Sequence, residues 1–417
     1  RLKERNKMQT FFIFCAIELA EKGRYKTAHN PCVGAVLVHK DTIIAEGYHM
    51  EYGKAHAEVE CLANAVKKGI FFQKIKNRSL SFSNPYLQEQ VLQFQHIEYE
   101  KEINVEECSL YVTLEPCNHF GKTPPCSQAI FEAGIKTVYV GCSDLNANAS
   151  GGADFLRSKG VNVVTGVCHD ECLELIEDFI VWQKEKRSFC ILKMACTLDG
   201  KIGPASGHSH SVSGSESKKV TMKMRKNMAL SHSAVMVGGN TFFEDNPKLT
   251  VRDMQTERQP RAFIVSKRLP PLSGGKTGYF CLDQKKDTVF FTDMKNPELV
   301  KQYAEHGILL ECIETSENKS LNLKKIFELA YQKYYSPYVY SEGGAKLAQS
   351  LLKEGLVDVL IVYIAPYVLG DDTAKNVFSG NFVQTMQEAY KFKIFKTERI
   401  GSDLHVYLKM EKTCSQG

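Results

Sequence analysis

Residues 113–126 read TLEPCNHFGKTPPC and combine several kinds of chemistry in one short stretch. An apolar run ends in Glu115-Pro116, and the cysteines Cys117 and Cys126 follow, with a histidine and a lysine between them. Either the two cysteines hold a metal ion, or they are two thiols that fell into one loop. A second segment, HAE at 56–58, is needed to decide between these interpretations.

The pattern formed by these two segments favours a metal site. His56, Cys117 and Cys126 would give zinc three ligands of its preferred types and leave a fourth position open, as in catalytic zinc sites. Glu58, two residues after His56, would lie near the metal without binding it and could pass a proton from a water molecule to a departing amine. The alternative is a structural histidine with two core cysteines. It is disfavoured because all four residues occur in the right order at helix-start and strand-end positions.

Composition limits the class of protein. A chain of 417 residues is too long for one ordinary core, so two domains are expected. With 43% hydrophobic and 24% charged residues, the composition is that of a soluble globular protein. A net charge of +5, spread along the chain, permits an anionic small substrate but is too dilute for a nucleic-acid surface.

Location is predicted from the apolar and cysteine patterns. No run approaches the length of a membrane span, and FFIFCAIELA at 11–20 has the helical spacing of a core helix, without a cleavage site. Fourteen cysteines are compatible with disulfides, but they are scattered along a chain without a signal sequence. A cytoplasmic protein with mostly reduced thiols is therefore expected, with no membrane and no nucleic-acid partner.

The order of predicted helices and strands indicates an α/β protein. Residues 1–186 alternate helices and strands, including a hairpin that turns at Lys40-Asp41, and predict a three-layer sandwich. Within this domain, 70–107 is interpreted as an insertion without chemistry of its own, containing a short exposed helix. A linker helix at about 170–186 leads to a second alternating domain at 187–417.

At this point the first domain resembles a known family. The segments NPCVGAVLV, GYH, HAEVE and TLEPCNHFGKTPPC are similar to the deaminase domain of the bifunctional RibD family of riboflavin biosynthesis. The long spacing between the cysteines is distinctive of that family, whereas nucleoside deaminases have the short P-C-x-x-C form. The resemblance implies a cytidine-deaminase-like fold, zinc at His56, Cys117 and Cys126, and Glu58 as proton carrier. It also implies substrate contacts from Asn30, His49, His119 and Lys122.

Elementary chemistry is consistent with these implied contacts. Lys122 is a suitable point charge for a sugar phosphate, and Asn30 can offer both a donor and an acceptor to a pyrimidine edge. The alternatives are that Asn30 is a turn residue and His49 a satisfied strand-end histidine.

Three later segments resemble the reductase domain of the same family: KMACTLDGKIG (193–203), VGGNTFFEDNPKLTVR (237–252) and YSEGGAKLAQSLL (340–352). The resemblance implies a dihydrofolate-reductase-like fold that uses NADPH. By matching position it implies NADPH contacts at Ala195, Ser211, Thr241, Asp245, Ser266, Gly344, Ala345, Lys346, Leu347, Ala348, Gln349 and Ser350. It implies substrate contacts at Ser209, Arg225, Leu249, Arg252 and Glu342.

Local chemistry gives these assignments partial support. SEGGAKL predicts a strand, a Gly-Gly turn and a helix, whose first backbone amides would favour a dinucleotide phosphate, although a Gly pair is often only a turn. Arg225 and Arg252 suit bidentate phosphate binding, the alternative being exposed surface arginines.

The chain departs from the family pattern in several places. Ser211 replaces a usual tryptophan, about four extra residues follow Arg225, and Ser233 stands where aspartate is common. The usual DPNP pattern has become DLNANASGG at 144–152, which keeps Asp144 and Asn146.

The sequence therefore predicts a two-step enzyme. Its substrate would be a small phosphorylated pyrimidine, first deaminated at the ring and then reduced in its ribosyl side chain with NADPH. One rival is a deaminase with an impaired reductase-like domain. A second rival is a non-enzymatic zinc protein or RNA-binding member of the deaminase fold. A homo-oligomer is compatible with the sequence.

Overall fold

The computed structural model describes residues 2–98, 103–121, 124–146, 148–206, 211–272, 278–283, 287–315, 320–379 and 383–411. Side chains are described within these ranges except for 2–5 and 72–73. The chain divides into two compact units, Arg1–Glu185 and Lys186–Gly417.

The N-terminal unit is built on a five-stranded sheet with the order β2-β1-β3-β4-β5. The first three strands in this order pair antiparallel, and β3, β4 and β5 are parallel. Its elements are α1 (Leu2–Glu21), β1 (Gly34–His39), β2 (Thr42–Tyr48), α2 (Ala57–Lys67), α3 (Phe72–Lys76), α4 (Pro85–Phe94), β3 (Cys108–Leu114), α5 (Cys126–Ala133), β4 (Thr137–Cys142), α6 (Gly152–Ser158), β5 (Asn162–Thr165), α7 (His169–Leu175) and α8 (Glu177–Lys184).

Two glycines on neighbouring strands show how helices cover both faces of this sheet. A Cβ on Gly34 would lie 1.9 Å from the carbonyl oxygen of Ala16 in α1, and a Cβ on Gly47 would lie 2.3 Å from the amide of Cys61 in α2. Gly47 pairs with Ala35, the residue after Gly34, so the two glycines face opposite sides. Helices α1 and α2 therefore pack on opposite faces, and the predicted three-layer fold is confirmed.

The hairpin predicted at Lys40-Asp41 joins β1 and β2. Both residues have positive φ angles, 46° and 64°, as a two-residue type I′ turn requires.

One local prediction in this unit needs correction. The insertion does contain a helix, α4, but the helix is only partly exposed, because Leu87 and Val91 are buried where α4 packs against α2.

The helical stretch expected at about 170–186 consists of two helices, α7 and α8, and both lie in the N-terminal unit. Trp182 of α8 is completely buried.

The C-terminal unit is built on a nine-stranded sheet with the order β11-β10-β9-β8-β12-β6-β13-β16-β15. The strands from β11 to β13 in this order are parallel, and β16 and β15 complete the edge antiparallel. The strands are β6 (Phe189–Thr197), β7 (Lys201–Gly203), β8 (Ala234–Gly238), β9 (Arg261–Val265), β10 (Thr288–Thr292), β11 (Ile308–Cys312), β12 (Tyr338–Glu342), β13 (Val359–Ala365), β14 (Lys375–Asn376), β15 (Phe392–Ile400) and β16 (Asp403–Met410). The helices are α9 (Ser215–Leu230), α10 (Gly239–Asp245), α11 (Phe280–Asp283), α12 (Pro297–Glu305), α13 (Leu323–Gln332) and α14 (Ala345–Lys353).

A buried ion pair fixes the start of the central strands of this sheet. Arg187 donates to both carboxylate oxygens of Asp358 at 2.7 and 2.8 Å, and Asp358 also accepts the backbone amide of Cys190 at 2.7 Å. The two charged side chains are 6% and 9% exposed. Because β6 and β13 are parallel neighbours, this contact sets their register at the end opposite the loops that carry α10 and α14.

Among the described helices, none is long and apolar enough to cross a membrane.

Candidate active sites

The three predicted metal ligands converge although they come from separate elements. His56 precedes α2, Cys117 follows β3, and Cys126 opens α5. The Nδ1 atom of His56 lies 3.6 Å from Cys117 Sγ and 3.4 Å from Cys126 Sγ. All three donor atoms lie within 4.8 Å of one another, and no other group of this kind is found among the described residues.

The donor set fits a tetrahedral zinc ion. With Zn–N near 2.0–2.1 Å and Zn–S near 2.3 Å, ideal angles place the nitrogen about 3.6 Å from each sulfur. The two observed nitrogen–sulfur distances agree with this value. Hydrogen bonding from Cys126 lowers the pKa of Cys117 to about 4, so its sulfur favours the thiolate form that binds metals.

Glu58 lies in the first turn of α2, two residues after the His56 ligand position. Its side chain is only 4% exposed, and burial raises its pKa to about 7, with the negative charge of Cys117 adding to the shift. A carboxyl group with a pKa near neutrality can both accept and release a proton at working pH. The structure thus places a buried carboxyl group close to the three donor atoms.

Asn30 and His49 form a connected pair on the wall of the same pocket. The Nδ1 atom of His49 is 2.9 Å from the carbonyl oxygen of Ala55, so this nitrogen must carry the proton. The other nitrogen, Nε2, then accepts from Asn30 Nδ2 at 3.2 Å. Burial lowers the pKa of His49 to about 4, which keeps the ring neutral. His49 therefore orients the Asn30 side chain, whose amide oxygen Oδ1 stays available to a ligand.

The pocket has a volume of about 190 Å³, and most of the predicted deaminase residues line it. His119 is exposed on its rim, whereas Lys122 lies outside the described residues. The lining also includes residues that were not predicted: His29, Glu115, Asp144, Asn146, Phe179 and Gln183.

Glu115 is the most connected of these additional residues. Its Oε1 accepts the amides of Gly151 and Ala153, both at 3.1 Å, and its Oε2 accepts the amide of Asp144 at 3.2 Å. One carboxylate thus ties the altered 144–152 segment to the loop that carries Cys117. The TLEPC motif placed Glu115 next to a metal ligand, but its partners, about 30 residues further along the chain, were not visible in the pattern.

Several predicted cofactor residues of the second unit follow the carboxyl ends of its parallel strands, namely Thr241, Asp245, Ser266 and residues 344–350. Strands β8, β9, β12 and β6 are parallel, so the segments after them meet at their carboxyl ends, where open α/β sheets bind ligands. A Cβ on Gly344 would lie 3.0 Å from Thr241 Oγ1, and a Cβ on Gly239 would lie 2.5 Å from Ser266 Oγ. Gly344 has a φ angle of 88°, which other residues rarely adopt. Asp245 ends α10, and Ala345 to Ser350 form most of α14.

Arg225 and Glu342 form a bidentate ion pair at the carboxyl end of β12. The Nε–Oε1 and Nη2–Oε2 distances are 2.6 and 2.7 Å, and Nη1 donates to the carbonyl oxygen of Thr250 at 2.9 Å. Arg225 is only 7% exposed in its side chain, so the alternative of a surface arginine is wrong. The Nε, Nη1 and Nη2 atoms of Arg225 already donate to Glu342 and Thr250, whereas the Arg252 side chain is exposed. Arg252 is therefore the better candidate for a phosphate contact.

Lys193, which the sequence did not single out, stands beside this ion pair. Lys193 on β6 is the register partner of Glu342 on the neighbouring strand β12, so the two side chains lie on the same face of the sheet. Burial lowers the pKa of Lys193, and the charge of Glu342 opposes that shift. The lysine within KMACTLDG was the available signal.

The remaining predicted positions differ in how they are placed. Leu249 is buried beside Thr250, and Ser211 is exposed, with its hydroxyl donating to the carbonyl oxygen of Ser213 at 3.1 Å. Ser209 lies outside the described residues. Ser233 is buried, and its hydroxyl oxygen accepts the amide of Tyr338 at 3.1 Å, so serine satisfies this position without the usual carboxylate.

The fold and the two sites define a class: a two-unit α/β protein with a zinc-deaminase-type unit followed by a reductase-type unit. The model of the cytidine and deoxycytidylate deaminase zinc-binding region matches residues 6–142, and the model of the RibD C-terminal domain matches residues 188–406. The chain belongs to the RibD family of riboflavin biosynthesis proteins.

Individual relatives match over nearly their whole length. Riboflavin biosynthesis protein RibD of Aquifex aeolicus is 34% identical over 396 residues, covering 94% of this chain and 96% of the relative. The solved structure of Acinetobacter baumannii RibD is 27% identical, with a TM-score of 0.72, covering 98% of this chain and 100% of that one. A deaminase/reductase structure from Thermotoga maritima is 32% identical, with a TM-score of 0.73 and coverage of 97% and 99%.

Proposed function

We propose that the chain carries out two consecutive steps of riboflavin biosynthesis on one phosphorylated pyrimidine. The N-terminal unit hydrolytically deaminates 2,5-diamino-6-ribosylamino-4(3H)-pyrimidinone 5′-phosphate. The C-terminal unit then reduces the ribosyl side chain of the product to ribityl with NADPH. Membership of the RibD family supports both activities, and Zn²⁺ and NADPH are the cofactors.

In the first step, His56, Cys117 and Cys126 hold the zinc ion. When bound, this ion acts as a Lewis acid that activates the attacking water. The water oxygen attacks the ring carbon that bears the amino group, the carbon–nitrogen bond breaks, and ammonia leaves. Glu58 takes a proton from the water and delivers it to the departing nitrogen, a role that suits a buried carboxyl group beside the ligands.

The substrate is held by residues on the pocket wall. Asn30, oriented by His49, faces the pyrimidine edge with its free carbonyl oxygen. His119 on the rim and Lys122 in the same loop are assigned to the sugar phosphate, which needs positive or donor groups. Glu115 positions the 144–152 segment by accepting backbone amides from it.

In the second step, NADPH supplies a hydride. We assign its binding to Ala195, Ser211, Thr241, Asp245, Ser266 and the Gly344–Ser350 segment. Glu342, held by Arg225, and its neighbour Lys193 bring opposite charges to the edge where the ribosyl side chain must lie. Leu249 supplies an apolar contact there, and the exposed Arg252 binds the substrate phosphate. Ser209 is assigned to the substrate by the family pattern alone.

The finer predictions about organisation remain proposals. We place the boundary between the two domains at about residue 186. The sequence supports a cytoplasmic location and the lack of nucleic-acid binding, and it is compatible with a homo-oligomer. The deaminase-only alternative gains no support, because the Arg225–Glu342 pair and the Gly344 turn are both in place.

The observation that carries the assignment of the first site is the position of His56 Nδ1 beside both cysteine sulfurs. The test is to measure zinc content and ammonia release on the same preparation. About one zinc per chain, with ammonia release that a chelator abolishes and zinc restores, is expected. Ammonia release from metal-free protein at the full rate would contradict the assignment.

A further inference from the structure

Tyr363 lies between two nitrogen-bearing side chains in the C-terminal sheet. Strand β13 carries Tyr363 and is flanked by β6 on one side and β16 on the other. The ammonium of Lys193 on β6 lies 4.9 Å from the centroid of the Tyr363 ring. On the other side, the ring of His405 on β16 stacks on Tyr363 with centroids 3.6 Å apart and planes 5° apart. The three side chains form a continuous stack across three strands.

His405 is itself fixed by a buried pair of hydrogen bonds. Ser217 Oγ donates to Asp403 Oδ2 at 2.6 Å and lies 2.8 Å from His405 Nε2. A hydroxyl has one proton, and that of Ser217 is donated in the hydrogen bond to Asp403. His405 Nε2 must therefore carry a proton and donate it in a hydrogen bond to Ser217 Oγ. All three residues are at most 1% exposed. The hydrogen bonds among Ser217, Asp403 and His405 therefore fix the orientation and the tautomer of the His405 ring.

Burial favours the neutral form of His405. The groups that act on His405 are Asp403 and Glu398, which favour its protonation, and Lys193, which opposes it. Burial is the largest influence and lowers the pKa of His405. A neutral imidazole can stack on Tyr363 without repelling the ammonium on the other side of that ring.

We infer that Tyr363 and His405 are positioning residues for the reduction step, because they hold the Lys193 ammonium beside Glu342. This inference rests on the proposed function of the C-terminal unit. Lys193 has four rotatable side-chain bonds, and its only register partner with opposite charge is Glu342. An aromatic face under the ammonium restricts where that charge can lie, and small errors in position are costly in catalysis.

The experiment compares Tyr363→Leu, Tyr363→Phe and Tyr338→Leu in the full chain. Tyr338→Leu is the matched control, since Tyr338 is a fully buried tyrosine of the same sheet whose ring packs edge-to-face against Phe189 and not under Lys193. Steady-state NADPH oxidation with the deaminated substrate gives kcat and both KM values, and ammonia release reports separately on the N-terminal unit. Circular dichroism and NADPH fluorescence titration show whether each variant folds and binds the cofactor.

Tyr363→Leu is expected to lower kcat for reduction about ten- to a hundredfold, with the KM for NADPH and ammonia release unchanged. Tyr363→Phe, which keeps the ring, should recover kcat to within about threefold. Equal kcat values for Tyr363→Leu and Tyr338→Leu would overturn the inference while leaving the proposed function standing. Wild-type protein that deaminates without oxidising NADPH would overturn both. If Tyr363→Leu does not fold, His405→Leu takes its place in the comparison, with the same expected and contradicting results.

Discussion

The guanidinium of Arg225 and the carboxylate of Glu342 meet through two parallel hydrogen bonds, 2.6 and 2.7 Å long, although the residues are 117 positions apart in the sequence. Both side chains are nearly buried, so each fixes the orientation of the other. Lysine at position 225 would keep the charge but lose the fork that makes two bonds.

Arg225→Lys is therefore expected to lower kcat/KM for NADPH-dependent reduction by about ten- to a hundredfold, or about 1.4–2.7 kcal/mol of transition-state stabilisation. Ammonia release should stay at the wild-type rate. The control is Arg258→Lys, an exposed arginine of the same unit. Equal reduction rates for the two variants would show that the ion pair has no role in the reaction.

Loss of one metal ligand should separate the two activities. Cys126→Ser is expected to reduce bound zinc from about one to below about a tenth per chain, because serine is a poor zinc ligand. Ammonia release should disappear with the metal, while NADPH oxidation with the deaminated substrate persists. Cys142→Ser is the control, since Cys142 is also buried but lies outside the donor group. Full zinc occupancy in Cys126→Ser would refute the ligand assignment.

The proton carrier can be tested without disturbing the metal. Glu58→Gln keeps the size of the side chain but cannot accept a proton, so ammonia release should fall by about 10²-fold or more at unchanged zinc content. Glu60→Gln is the matched control on the same helix, where Glu60 accepts a hydrogen bond from the hydroxyl of Tyr86 at 3.0 Å. A Glu58→Gln variant that binds zinc and deaminates at the full rate would exclude Glu58 from this role.

The Arg187–Asp358 pair predicts a difference between buried and exposed ion pairs in stability. Asp358→Ala leaves a buried guanidinium without its partner and should lower the free energy of unfolding by about 3–5 kcal/mol. Asp287→Ala removes the partner of Arg261, but Asp287 is 52% exposed, so a loss of about 0–1 kcal/mol is expected. Denaturant titration followed in the C-terminal unit measures both. Similar losses in the two variants would contradict the structural role of the buried pair.

Local patterns in the sequence were sufficient for the fold class and for the group formed by His56, Cys117 and Cys126. The turn at Lys40-Asp41 depends on a few neighbouring residues, and the segments around His56 and Cys117 combine distinctive residue types at fixed spacing. These residues come together when the start of a helix lies beside the end of a strand, and this arrangement is common in folds that alternate helices and strands.

Features that depend on strand register could not be predicted in the same way. The contacts of Arg225 with Glu342 and of Tyr363 with His405 join distant segments. Glu342, Tyr363 and His405 lie on strands, where a shift of one residue in register would turn the side chain to the other face. For a related reason, the α7–α8 segment could be predicted as helical, but its packing could not be predicted. Its apolar residues were visible in the sequence, but the surface that buries Trp182 was not.

The central claim, that one chain performs both reactions, is tested most directly by following ammonia and NADPH together. Zinc-loaded protein is given the diaminopyrimidinone ribosylamino phosphate and excess NADPH, and both products are measured over time. The account predicts one ammonia released and one NADPH oxidised per substrate, with ammonia appearing first and no NADPH oxidised by the Glu58→Gln variant. Ammonia release without any NADPH oxidation, even after all substrate is deaminated, would contradict it.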